Sequence, residues 1–182
     1  VAALRWGKDT TANFGGDPAK VTIFGQSGGG GKVTTLLGTP SADGLFHKAI
    51  VQSGSMLRMM NAENSRRIGR AAVEELGLNP ADISAIDTIP YEHLLAAGEK
   101  AIAKVKAELA DNTGGTFIFG WAPTVDGDVL PTHPFEPEAP AQSKEVPMMI
   151  GTTLHEFTAS TYVPALKEMP KEKIIENLKQ RY

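Results

Sequence analysis

A run of four β-favouring residues, Val21-Thr22-Ile23-Phe24, leads straight into Gly25-Gln26-Ser27-Gly28-Gly29, and no other feature restricts the fold as much. The run is short and bounded by turn signals, as a buried strand is. Residues from about Gly29 to Leu37 read as a helix, and Lys48-Ala49-Ile50-Val51-Gln52 as a second strand before Gly54. Strand, turn, helix and strand in that order imply a parallel pair joined by a crossover. The class is therefore α/β, with a doubly wound and mainly parallel sheet rather than an antiparallel sandwich.

The five residues fit G-x-S-x-G, in which a strand breaks sharply into a helix and the serine is held strained with its hydroxyl exposed. Gly25 and Gly29 are expected to remove side chains that would collide where strand and helix approach. The N–H of Gly28, next after the serine, can face a developing oxyanion, helped by the dipole of the helix start. Two other glycine-loop chemistries fail on spacing. A phosphate-binding P-loop needs Gly where Gln26 stands and Ser or Thr where Val33 stands. A dinucleotide fingerprint begun at Gly28 or Gly29 needs glycine at Val33 or Thr34.

Composition narrows the partners. The 182 residues are 41% hydrophobic and 21% charged, enough for one sizeable core, with a formal net charge of −3. That charge gives no basic field for nucleic acid or an anionic membrane surface, and no apolar run is long enough to span a bilayer. The absence of cysteine excludes disulfides, thiolate metal sites and a thiol nucleophile, and leaves the compartment open. The start at Val1-Ala2-Ala3-Leu4-Arg5-Trp6 reads as the middle of a helix, so the native protein is expected to extend upstream.

The chain reads as three stretches of one domain: residues 1–59 as the strand–turn–helix–strand core, 60–112 as a helical region, and 113–182 as a mixed region. The first segment, to Phe14, reads as a helix with Leu4, Trp6 and Phe14 as buried candidates, stopped at Gly15-Gly16-Asp17-Pro18. From Ala62 to Leu109 the spacing of Ile68, Ala71, Ala72 and Leu76, and then of Ile102, Val105 and Leu109, is helical. A proline-punctuated segment to Pro140 reads as extended or loop. Val146-Pro147-Met148-Met149-Ile150 is a third strand, and Lys171 to Tyr182 an amphipathic helix.

Ala12-Asn13-Phe14-Gly15-Gly16-Asp17-Pro18, the run Val21 to Ser27, and Gly44-Leu45-Phe46-His47-Lys48-Ala49-Ile50-Val51-Gln52-Ser53-Gly54-Ser55 together resemble the type-B carboxylesterase and cholinesterase family, in its bacterial carboxylesterase branch. The resemblance covers roughly Leu4 to Phe157, including Pro123-Thr124-Val125-Asp126-Gly127. It implies an internal piece of an α/β-hydrolase fold, with Ser27 as nucleophile and no cofactor or metal. Glu156, in Gly151-Thr152-Thr153-Leu154-His155-Glu156-Phe157, stands in the place of the triad acid, although His155 and Phe157 depart from the family's usual neighbours. Phe117 and Phe119 occupy acyl-pocket positions, or equally pack at alternate positions of an extended core segment. Ser53 resembles a buried serine near the acid and histidine. Gln26 replaces the acidic residue that cholinesterases carry beside the nucleophile, which favours neutral esters.

The resemblance also locates what is missing. The family's catalytic histidine belongs well beyond Glu156 and its main oxyanion loop well before Ser27, both outside this chain. His47, His93 and His133 read as structural or solvated, and His155 points away from its neighbour Glu156. The implied activity is hydrolysis of neutral, apolar carboxylic esters through an acyl-enzyme, with this segment alone nearly inactive. A catalytically silent adhesion or scaffolding relative is the alternative. Taken as an isolated piece, the chain would expose sheet edges open to pairing between copies.

Overall fold

The β-favouring run continues two residues past Phe24, so that the first strand, β1 (Thr22–Gln26), ends directly at Ser27 and helix α2 (Gly28–Leu37) begins at the next residue. The computed structural model describes residues 1–109, 120–156 and 164–181. They divide into two compact units, Val1–Arg58 with Thr132–Tyr182, and Met59–Pro131.

In the first unit, α1 (Ala2–Thr10) passes through a 3₁₀ turn at Thr11–Phe14 to Gly15, whose φ of +78° ends the helix. β1, β2 (Lys48–Gln52) and β5 (Met148–Gly151) form a parallel sheet in the order β1-β2-β5. The register pairs Phe24 with Ile50 and Gln26 with Gln52, then Ile50 with Met149 and Gln52 with Gly151. All three strands therefore end level with one another, and the loops leaving them meet along one edge. In open parallel sheets that carboxyl edge is where ligands sit.

One sheet face is packed. Val33 and Leu37 of α2 bury against Ala49 and Val51, with Ala42 and Phe46 closing the cluster and Val21, Ile23 and Leu4 at its margin. On the opposite face the cross-strand row Phe24–Ile50–Met149 is largely open among the described residues, with Phe24 74% and Met149 67% exposed. The first strand, expected to be buried, is therefore half-buried on the face toward α2 and exposed on the other. Trp6 and Phe14, expected to be buried, are exposed as well. Only Val1 and Leu4 of the first segment reach the core, because α1 lays that side of itself on the sheet unit and turns Trp6 away. The amphipathic C-terminal helix α5 spans Lys171–Arg181.

The second unit is built by α3 (Ala62–Glu75) and α4 (Tyr91–Glu108), whose small faces let them pack closely. Ile68, Ala71 and Ala72 bury against Ala101 and Val105, with Met60 beneath. The Asn61 side chain caps α3 by accepting the Asn64 N–H at 2.8 Å. Gly77 (φ +66°) stops the helix, and a 3₁₀ stretch at Pro80–Thr88 joins it to α4, so the two runs of helical spacing fall on two separate helices. A short parallel bridge joins β3 (Met60–Asn61), just before α3, to β4 (Thr124–Val125), which lies in the proline-punctuated segment that reads as extended or loop.

Candidate active site

Ser27 stands at the bend with φ +55° and ψ −120°, a conformation that costs a residue with a side chain on the order of 1–3 kcal/mol. Backbone hydrogen bonds hold it there. Its N–H donates to the Gln52 carbonyl at 2.9 Å, tying the bend to the end of β2, and its own carbonyl accepts the Gly31 N–H at 3.0 Å. Serine at a helix start ordinarily turns its hydroxyl inward to cap the first N–H groups. Here the side chain makes no capping hydrogen bond, and both Ser27 and Gly28 are exposed. The hydroxyl therefore faces solvent at the head of α2, beside the positive end of the helix dipole. Gln26, the last residue of β1, is exposed next to it.

The glycines at the bend divide differently from expectation. A Cβ on Gly25 would lie closer than 3.0 Å to the backbone of Gly29, so strand and helix do meet there without a side chain between them. A Cβ on Gly29 would meet nothing within 4 Å, so that glycine is not required for space. Backbone crowds instead at Gly30, where a Cβ would come 3.0 Å from Gly54 Cα, while at Gly31 it would come 2.6 Å from the sulfur of the flexible Met56 side chain.

One strand over, Ser53 occupies the equivalent position after Gln52 and also has positive φ, +49°. Its N–H donates to Gly151 O at 2.8 Å, joining the end of β2 to the end of β5. Its half-buried side chain hydrogen bonds the carboxylate of Glu156, which also accepts the Thr153 N–H at 2.8 Å. These donors, Ser53 first, hold the Glu156 carboxyl below the ordinary glutamate value. Glu156 is exposed. Ser27, Ser53 and Glu156 are thus brought to the same sheet edge, following β1, β2 and β5 in turn.

Phe117 and Phe119 lie outside the described residues. His47 accepts the Val21 N–H on Nδ1 at 3.3 Å, and His93 lies on α4 in the other unit. His133 lies near Glu136, whose carboxylate accepts from Arg58 Nε at 2.8 Å on both oxygens. Asp126, which the sequence places in a family-like run without giving it a role, accepts the N–H groups of Leu130 (2.9 Å) and Asp128 (3.0 Å) on its carboxylate and is held below its ordinary value by them. The signal was available in the Asp-Gly step, since Gly127 takes the positive φ (+84°) that such a turn requires.

The family model described as the carboxylesterase family matches residues 1–181. The chain belongs to the carboxylesterase family. It is 35% identical to the para-nitrobenzyl esterase of Bacillus subtilis over 86% of this chain and 30% of that protein. To the cocaine esterase of Homo sapiens it is 39% identical over 86% of this chain and 26% of that one. A carboxylesterase structure from Geobacillus stearothermophilus superposes with a TM-score of 0.71 at 34% identity, covering 98% of this chain and 35% of that one. The fold is accordingly that of an α/β-hydrolase, of which these elements are a part. The chain spans less than a third of the length of either curated relative.

Proposed function

We propose that this chain carries the nucleophile and the acid of a serine carboxylesterase that acts on neutral, apolar esters through an acyl-enzyme. The observation that supports it most is the uncapped, solvent-facing Ser27 at a strained bend, level with a Ser53–Glu156 pair on the same sheet edge. β1 and β5 are separated by β2, a distance of roughly 10 Å between strand axes. That gap suits an imidazole standing between hydroxyl and carboxylate. Glu156, held below its ordinary value, is ionised at neutral pH and can fix the tautomer of such an imidazole and stabilise its cation.

In this reading Ser27 Oγ attacks the ester carbonyl carbon while a histidine contributed from outside residues 1–182 takes its proton. The negative charge that moves onto the carbonyl oxygen is met by the Gly28 N–H and by the start of α2. Collapse breaks the bond to the alkoxy oxygen, which leaves as alcohol with the proton from the imidazole. Water then repeats the sequence on the acyl-Ser27 ester and frees the acid. Gln26 places no charge beside the nucleophile, in keeping with an uncharged substrate. A para-nitrobenzyl ester, the substrate in the name of the Bacillus subtilis relative, is of this kind.

Ser27→Ala in the full-length protein tests the reading. Turnover of a p-nitrophenyl ester is expected to fall by at least about 10³-fold with the fold intact; retained turnover would remove Ser27 from the mechanism. Residues 1–182 alone are expected to show no ester burst, and a burst would place the base within this chain.

A further inference from the structure

Gly54 comes directly after Ser53 and lies against the backbone of the bend. A Cβ on Gly54 would fall closer than 3.0 Å to the carbonyl oxygen and carbon of Ser27, and 3.1 Å from Gly30 Cα. Reciprocally, a Cβ on Gly30 would meet Gly54 Cα at 3.0 Å and its carbonyl carbon and oxygen at 3.2 Å. Every one of these neighbours is backbone, so no change of rotamer relieves the overlap. Neither Gly54 nor Gly30 has positive φ. Glycine is required at Gly54, and favoured at Gly30, by space and not by dihedral angle.

The carbonyl that blocks a side chain at Gly54 is the same one that accepts the Gly31 N–H and starts α2. It cannot turn aside without loosening the first turn of the helix. The acid is held by the residue next in sequence, since Ser53 hydrogen bonds Glu156. Two adjacent residues thus touch both halves of the candidate machinery.

We infer that Gly54 is a positioning residue for the nucleophile: its bare Cα sets how closely the Ser27 bend seats against the end of β2, and so how far the Ser27 hydroxyl stands from the acid that Ser53 holds. The inference rests on the proposed role of Ser27. A methyl group at position 54 must displace the Ser27 carbonyl, and a shift of about 1 Å between reacting groups costs on the order of 10²-fold in rate. A residue that acts only by seating the Ser27 bend changes kcat and leaves KM nearly unaltered.

The test is Gly54→Ala in the full-length protein, with Gly7→Ala as control, since a Cβ on Gly7 in α1 meets nothing within 4 Å. A fluorophosphonate titration counts reactive serines, and p-nitrophenyl butyrate turnover gives kcat and KM. G54A is expected to keep one titratable serine per chain, with KM within about threefold of wild type and kcat and the rate of phosphonylation lowered about 10²-fold. The control is expected to match wild type. If G54A does not fold, Gly30→Ala decides, because its contacts at 3.0–3.2 Å are milder; about a tenfold fall in kcat at unchanged KM is expected. A folded G54A, or a folded G30A where G54A fails, with kcat within threefold of wild type overturns the inference. So does a fall caused only by fewer titratable serines. A wild-type protein without esterase activity would instead overturn the proposed function, which separates the two failures.

Discussion

The ends of β1 and β2 are near copies of each other with opposite tasks. Each strand closes on a glutamine, Gln26 and Gln52, paired in register, and each runs into a serine with positive φ, +55° at Ser27 and +49° at Ser53. The chain beyond each serine separates them. Ser27 opens directly into a helix, keeps its hydroxyl out of the cap and faces solvent; Ser53 opens into a loop, is half-buried and commits its side chain to Glu156. Strained backbone aims a hydroxyl outward in one case and sideways along the sheet edge in the other. Under the proposed function, positive φ after a parallel strand is not what singles out Ser27, since Ser53 shares it; the helix start beside Ser27 is what differs.

The largest expected effect comes from removing the charge that Ser53 holds. Glu156→Gln in the full-length protein should lower kcat by about 10³- to 10⁴-fold, the scale seen when a triad acid loses its charge but keeps its shape. A kcat within tenfold of wild type would detach Glu156 from the mechanism. Steady-state kinetics with a p-nitrophenyl ester reads it.

Ser53→Ala should be milder, about a tenfold loss in kcat, because the Thr153 N–H still holds Glu156. Its distinct mark is in pH. The wild-type Glu156 value is depressed, so the stability it contributes is fully present above the ordinary glutamate value of 4.5 and is lost as pH falls through the lowered one. The difference in thermal midpoint between wild type and S53A should therefore be largest above that value and shrink in more acid solution. A difference that grows on acidification would contradict the Ser53–Glu156 bond.

The smallest effect isolates backbone strain. Ser53→Gly loses the same hydroxyl as Ser53→Ala but accepts positive φ freely, so it should be more stable than S53A by about 1 kcal/mol while sharing its activity. Chemical denaturation compares the two directly. Equal stabilities would mean that Ser53 is not strained.

The bend and its serine are legible in the sequence, because G-x-S-x-G after a β run is a local pattern and the turn it forms depends on its own residues. The three strands of the sheet are legible for the same reason. Features that depend on distant contact are not. Gly54 reads as an ordinary glycine in a family motif, since its need for space arises from a carbonyl brought over from another strand. Gly29 reads as indispensable from the motif, yet a side chain there would meet nothing. Trp6 and Phe14 read as buried on hydrophobicity alone, a one-way rule that does not say which apolar side chains find a partner.

The most direct test is to treat the full-length protein with a fluorophosphonate ester and locate the adduct by peptide mass spectrometry. One adduct per chain on the peptide carrying Gly25-Gln26-Ser27-Gly28-Gly29, with none on Ser53, is the result expected if the uncapped bend makes the nucleophile. Labelling at Ser53 or another serine, with Ser27 unmodified, would contradict it.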